Sequence, residues 1–226
     1  MHTMLHYPHR KQWVPTRGTP TDMSKFSHFR EYFLLNMNVV VRFMILSDVI
    51  WMGALGFLGP IFSLFIVDYI EGGDARVAGF AATIYLLTKS IFQIPFASII
   101  DKIRGEKDDF WIMLIGSMIS ALIPLSYLFI HTPMQLYIVQ FFYGLMVAAT
   151  FPSFMAVISR HMDKNKECSE WGIYFTLTDF SSAIAATIGG VMVATSGFHP
   201  LIIVTVIVSL LGTFFLYPLR PYMRLK

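Results

Sequence analysis

Three ionisable residues, Asp48, Lys89 and Asp179, lie inside stretches of sequence that are otherwise almost free of charge. A charged side chain in the middle of a bilayer costs about 2.5–3.5 kcal/mol on insertion scales, so such residues normally face a cavity or a partner. One hypothesis makes the three residues a site for a substrate or a coupling ion. The alternative is a lysine–aspartate pair that only holds helices together.

Gln93 and Gln140 are two further polar residues in apolar stretches. Their amides either line the same pathway or form hydrogen bonds between helices, which contribute roughly 0.6 kcal/mol in membranes. Both interpretations require these side chains to point into a bundle of helices rather than into lipid.

The sequence contains none of three short motifs that mark common catalytic and nucleotide-binding sites. Gly-x-Ser-x-Gly, His-Glu-x-x-His and a Walker A segment are all absent. Cys168 is the only cysteine, and without a cluster of Cys and His we expect no structural zinc site. We therefore expect neither an enzyme nor a bound metal or cofactor. The basic residues lie beside apolar stretches, which indicates membrane topology rather than binding to nucleic acid.

The apolar stretches set the fold class. Hydrophobic residues make up 55% of the 226 residues and charged residues 14%, whereas soluble domains carry about 25% charged residues. A bilayer core about 30 Å thick requires roughly 20 apolar residues per helix. The sequence predicts an all-α integral membrane protein with six membrane-spanning helices. These spans 1–6 are expected at about residues 43–67, 77–100, 110–130, 136–158, 171–195 and 201–217.

Lysine and arginine are distributed very unevenly among the loops. Of the 17 such residues, 15 lie in the N-terminal segment, in the loops at residues 101–109 and 159–170, and in the C-terminal tail. Arg76 lies on the other side, and Lys89 is inside span 2. Positive residues accumulate on the cytoplasmic side of membrane proteins. Both termini are therefore predicted to be cytoplasmic, in a multi-pass protein of the cell membrane.

The same pattern predicts the domain organisation. We expect a cytoplasmic N-terminal tail at residues 1–42, a six-helix membrane domain at residues 43–217 and a cytoplasmic C-terminal tail at residues 218–226. Residues 26–41 mix apolar and charged side chains. They form either an interfacial amphipathic helix or a cytoplasmic extension of span 1.

Small residues and a proline occur where helices could pack closely. Small side chains let two membrane helices approach each other, and proline lets a helix bend. The candidate packing residues are Gly56, Gly59, Pro60, Gly144, Gly189 and Gly190.

The loop between spans 2 and 3 resembles the signature that the major facilitator superfamily carries at that place. Asp101 and Lys102 match the signature, Ala97 replaces its first glycine, and its second glycine comes one residue late as Gly105. The glycines and proline of span 1 and the glycine pair of span 5 are also similar to elements of that family. The resemblance implies that Asp101, Lys102, Arg104 and Gly105 form a cytoplasmic gating loop.

The resemblance covers about residues 43–217 and implies a function. Members of the family normally have twelve helices in two halves of six, and the substrate binds between the halves. This chain resembles one half, which implies a half-size secondary transporter for a small solute that works by alternating access, as a dimer or with a second polypeptide. Gln140 replaces an arginine that the family often uses in proton coupling. A non-transporting membrane subunit or a degenerate relic is the alternative.

Overall fold

The computed structural model describes residues 37–103 and 105–223, and the regular elements in these ranges are all helical. Six helical segments there are long and apolar enough to cross a membrane. Spans 1–6 run over Val39–Tyr69, Ala75–Ile100, Lys107–Leu128, Pro133–His161, Glu167–Ser196 and Phe198–Tyr222. The predicted fold class is therefore confirmed, with span ends that differ from the expected ones by several residues.

The helical body extends beyond residues 43–217 at both ends. Span 1 starts at Val39, where the side chain of Asn38 accepts a hydrogen bond from the N–H of Val40 at 2.9 Å. Tyr217–Tyr222, most of which was expected in the tail, form a 3₁₀-helix in which Leu219 is fully buried. Residues 1–36, with most of the expected interfacial helix, lie outside the described residues.

Side chains in the loops start spans 2 and 4, because the first N–H groups of a helix have no partner inside it. Asp74 accepts hydrogen bonds from the N–H groups of Arg76 at 2.8 Å and Val77 at 3.0 Å. The N–H of Val77, followed by the guanidinium of Arg76, lowers the pKa of Asp74 below its ordinary value. Thr132 and Gln135 form a capping box at the start of span 4. Both starts are thus encoded locally.

Span 1 is interrupted about two-thirds of the way along its length. Gly59–Ile61 form a 3₁₀ turn between the α-helices Val39–Leu58 and Phe62–Tyr69. Pro60 has no N–H to donate, and its ring collides with the preceding turn of an α-helix. The interruption therefore falls where the sequence places a glycine and a proline together.

The main contacts between spans repeat in two sets of three helices. Span 1 packs against spans 5 and 6, and span 4 packs in the same way against spans 2 and 3. Spans 3 and 6 contact each other, as do spans 1 and 4. Exchanging spans 1–3 with spans 4–6 leaves this pattern unchanged, as in two inverted three-helix repeats. Spans 2 and 5 each have one main helical neighbour.

Three of the candidate packing glycines lie where two helix backbones touch. A Cβ atom on Gly56 would lie 2.7 Å from a carbonyl oxygen of span 5, and one on Gly144 would lie 2.6 Å from a carbonyl oxygen of span 2. A Cβ atom on Gly189 would overlap the carbonyl oxygen of Phe57 in span 1. Only glycine allows these approaches.

Gly59 and Gly190 do not have the packing role expected from the sequence. Among the described residues, a Cβ atom on either glycine would have no atom of another element within 4 Å. The reason is geometric, because successive residues of an α-helix point about 100° apart around its axis. Gly189 therefore faces span 1 while its neighbour Gly190 does not.

Candidate functional site

A pocket of about 430 Å³ lies among spans 1, 2, 3, 4 and 6, in the half of the bundle away from the loop at residues 101–106. Much of its wall is apolar, with Leu58, Phe62 and Ile66 from span 1. Its polar side chains are all uncharged: Ser63, Tyr85, Tyr127, Gln140, Tyr143 and Thr205. Such a mixture of apolar wall and a few polar groups is typical of sites for small molecules.

Gln140 alone among the five predicted pathway residues lines this pocket. It is buried, with 5% of its surface exposed, and its Nε2 donates a hydrogen bond to the hydroxyl of Tyr127 at 3.2 Å. The amide therefore links spans 3 and 4 and also contributes to the pocket wall. An amide in place of an arginine leaves the pocket without a formal charge.

Asp48 belongs to a polar seam between spans 1 and 5. The hydroxyl of Tyr174 donates a hydrogen bond to Oδ2 of Asp48 at 2.6 Å. About two turns further along span 5, Ser181 donates from its hydroxyl to the carbonyl oxygen of Val49 at 2.8 Å. These bonds fix the two helices against each other.

Lys89 is half-buried in span 2, where its ammonium group faces an aromatic ring. The Nζ atom lies 4.7 Å from the centroid of the Phe151 ring in span 4, a cation–π geometry. Within residues 37–103 and 105–223, no carboxylate forms a salt bridge with Lys89. The lysine–aspartate pair considered from the sequence is therefore not formed in this part of the chain.

Asp179 and Gln93 lie on the two least covered helices. Asp179 is exposed, 12 residues after the start of span 5 at Glu167, which places it about 18 Å along the helix. Gln93 is half-buried on span 2 and forms no hydrogen bond through its side chain within the described ranges. The structure thus places Lys89, Gln93 and Asp179 on spans 2 and 5, and it does not bring them together with Asp48.

The predicted gating loop begins where span 2 ends. The N–H of Asp101 donates to the carbonyl oxygen of Ala97 at 2.9 Å, and the side chains of Asp101 and Lys102 are exposed. Gly105 has a φ of 113°, a conformation that favours glycine. It therefore turns the chain into span 3 although it stands one residue later than in the family pattern. Arg104 lies outside the described residues.

The charge pairs on this side of the bundle involve residues that sequence reasoning missed. Nη1 of Arg160, at the end of span 4, donates to Oδ2 of Asp109, at the start of span 3, at 2.7 Å. Beside them, Nε2 of His161 lies 3.6 Å from Oε2 of Glu106. Acidic residues at the start of one span and basic residues at the end of the next were the available signal. Lys102 forms no salt bridge among the described residues.

Comparison with known proteins agrees with this architecture. The sequence model of the Major Facilitator Superfamily matches residues 43–225 of this chain. A solved structure, titled "In meso crystal structure of the POT family transporter PepTSo", is similar to this chain with a TM-score of 0.68 and 13% identity. The similarity covers 83% of this chain and 38% of that one, so this chain spans well under half the length of that transporter. Among curated proteins there is no match. This multi-pass membrane protein therefore belongs to the Major Facilitator Superfamily.

Proposed function

We propose that this chain is one half of a secondary transporter, which moves a small solute by alternating access together with a second six-helix half. One observation carries the proposal. Asp179 is exposed near the middle of span 5, and Lys89 is only half-buried near the middle of span 2. A charge that faces lipid at that depth costs about 2.5–3.5 kcal/mol on insertion scales. A second half against spans 2 and 5 removes both charges from lipid and encloses a polar path.

The pocket and the length of the chain support the same proposal. Gly59, Ser63 and Ala82 are exposed residues in the wall of the pocket, so the pocket reaches the surface between spans 1 and 2. A second half placed there would close it. The chain matches 38% of the length of the similar transporter, and substrates of this family bind between two halves.

A second copy in parallel orientation can supply the other half, because the same distribution of basic residues orients every copy in the same way. In a Cys168→Ser chain carrying Ile91→Cys and Thr176→Cys, a short bismaleimide is expected to link copies into dimers in lipid nanodiscs. Both positions are exposed. Ile91 lies nine residues before the end of span 2 at Ile100, and Thr176 lies nine residues after the start of span 5 at Glu167, so the two positions are at the same depth. Ile115→Cys with Leu211→Cys is the control: both positions are exposed, on spans 3 and 6, so copies of this variant are expected to remain without a covalent link. Equal linking of both variants would contradict an interface formed by spans 2 and 5.

Transport is expected to depend on Asp179. Asp179→Asn should lower the initial rate of solute uptake about tenfold, which corresponds to the loss of about 1.4 kcal/mol in the rate-limiting step. Vesicles that contain the full chain are incubated with a mixture of small metabolites, and uptake is followed by mass spectrometry. Asp68→Asn, an exposed aspartate near the end of span 1, is the control and should retain the rate. If the unmodified chain takes up no solute, the alternative of a non-transporting subunit or relic is favoured.

Asp101 is proposed to hold the cytoplasmic side closed. Its carboxylate is exposed at the end of span 2 and can face the N-terminal end of a helix in the second half, an interaction of about 0.3–1 kcal/mol. Asp101→Asn is therefore expected to lower turnover in vesicles roughly two- to fivefold, with insertion and dimer fraction unchanged. Glu167→Gln, an exposed acid on the same side, should have no such effect. Turnover at the unmodified rate in Asp101→Asn would show that the loop has no gating role.

A further inference from the structure

A groove of about 390 Å³ lies where span 3 begins and span 6 ends, away from the pocket and from spans 2 and 5. Its lining residues are Lys107, Phe110, Trp111, Arg220, Pro221 and Met223. Phe110 and Met223 are buried, whereas Lys107, Trp111 and Arg220 are exposed. The groove therefore has an apolar floor, an aromatic wall and two cationic side chains at its rim. We propose that it binds the phosphate headgroup of an anionic phospholipid.

The two cations of the groove have no acidic partner in the described part of the chain. Neither Lys107 nor Arg220 forms a salt bridge there, and the guanidinium of Arg220 lies 5.8 Å from the ring centroid of Trp111. The nearest acids in sequence are otherwise placed. Glu106 is buried with one carboxylate oxygen 3.6 Å from Nε2 of His161, Asp109 is paired with Arg160, and Asp108 is half-buried and forms no ion pair with either cation. Two unpaired positive charges that converge on one groove favour an anionic ligand.

The apolar surface next to the groove fits the rest of a lipid. Trp111, Ile115, Met118 and Leu122 are exposed by 43–52%, and their spacing places them along one face of span 3. This stripe starts at the groove and runs toward the centre of the membrane. Trp and Tyr concentrate at the level of lipid headgroups, and Tyr217 and Tyr222 are exposed at the same end of span 6. An acyl chain on the stripe would therefore place its phosphate in the groove.

The charge of the groove distinguishes an anionic phospholipid from a zwitterionic one. A choline or ethanolamine group is positive, so it would be repelled by Lys107 and Arg220. The face of Trp111 that could hold such a group by a cation–π contact is already occupied by Arg220. Basic residues at this end of the spans also match the surface of the leaflet that carries anionic lipids.

The test measures lipid binding to the full chain in detergent by native mass spectrometry, with phosphatidylglycerol and phosphatidylcholine of identical acyl chains. We expect the unmodified chain to retain phosphatidylglycerol selectively. Each removal of a basic side chain should weaken binding about fivefold, so Lys107→Gln with Arg220→Gln should weaken it roughly 25-fold. Lys102→Gln with Lys164→Gln is the matched control. It removes two exposed lysines on the same side and should bind as the unmodified chain does.

Three results would overturn the proposal. Equal retention of phosphatidylcholine would show that headgroup charge is not recognised. An equal loss in the control variant would show that binding follows net charge rather than this groove. Displacement of the lipid by millimolar inorganic phosphate would make the groove a site for a soluble anion. Brominated acyl chains give an independent measure of position, because bromine quenches the fluorescence of a tryptophan that it contacts. Phosphatidylglycerol with such chains should quench the part of the fluorescence that comes from Trp111, which is the part absent from Trp111→Phe. Failure to quench it would also contradict the proposal.

Discussion

Replacement of Gly189 by alanine is expected to destabilise the bundle by about 3 kcal/mol. The added methyl group would overlap the carbonyl oxygen of Phe57, and a backbone atom cannot turn aside as a side chain can. Spans 1 and 5 would have to separate along the seam that holds Asp48 and Tyr174. Overpacking in a close-packed interior typically costs about 1–3 kcal/mol, and contact with backbone places this site at the upper end.

The neighbouring residue provides a matched control with the opposite sign. In residues 37–103 and 105–223, a Cβ atom on Gly190 meets no atom of another element within 4 Å. Glycine inside a helix is less favourable than alanine by about 0.5–1 kcal/mol. Gly190→Ala is therefore expected to leave stability unchanged or to raise it slightly. Reversible unfolding in mixed micelles, followed by helical circular dichroism, measures both variants. Equal effects of the two substitutions would contradict the packing described for spans 1 and 5.

The repeat in the helix contacts extends this expectation to the other half of the bundle. Gly144 on span 4 meets the backbone of span 2, as Gly56 on span 1 meets the backbone of span 5 in the helix pair that also contains Gly189. Spans 4 and 2 correspond to spans 1 and 5. Gly144→Ala should therefore destabilise the bundle by a similar amount. A small effect at Gly144 beside a large one at Gly189 would show that the two helix pairs are not equivalent.

Replacement of Arg160 by methionine is expected to cost about 3 kcal/mol of stability. The side chain of Asp109 is 3% exposed, and Arg160 supplies its only ion pair among the described residues. Removing one partner of a buried pair costs about 3–5 kcal/mol, because a charge then remains buried without compensation. The start of span 3 offsets part of this, since a helix N-terminus stabilises a carboxylate by about 0.3–1 kcal/mol. The guanidinium is itself partly exposed, with 39% of the side chain accessible, which also favours the lower end.

A second substitution separates this effect from a loss of packing. Asp109→Asn in the Arg160→Met background removes the uncompensated charge, so most of the lost stability should return. Lys164→Met removes an exposed lysine from the adjacent loop and should change stability by less than about 0.5 kcal/mol. The same unfolding measurement applies. If Asp109→Asn restores nothing, the cost of Arg160→Met does not arise from the buried carboxylate.

Sequence reasoning was most successful for the number of spans, which depends on the bilayer. The number of spans follows from the length of apolar stretches that a membrane requires. The starts of spans 2 and 4 were expected two or three residues too late, at about residues 77 and 136. The signals that fix these starts are nevertheless local, because the side chains of Asp74 and of Thr132 with Gln135 bind N–H groups only two or three residues away. None of these features depends on how the helices are arranged around one another.

The arrangement of side chains around each helix was decided by the tertiary structure alone. In a membrane, lipid is as apolar as the interior of the bundle, so the pattern of apolar residues does not reveal which face of a span is buried. Asp48 therefore met Tyr174, 126 residues away, and Lys89 met the ring of Phe151 rather than an aspartate. Gly189 and Gly190 look alike in the sequence, yet a rotation of about 100° between them places one against another backbone and the other in open space.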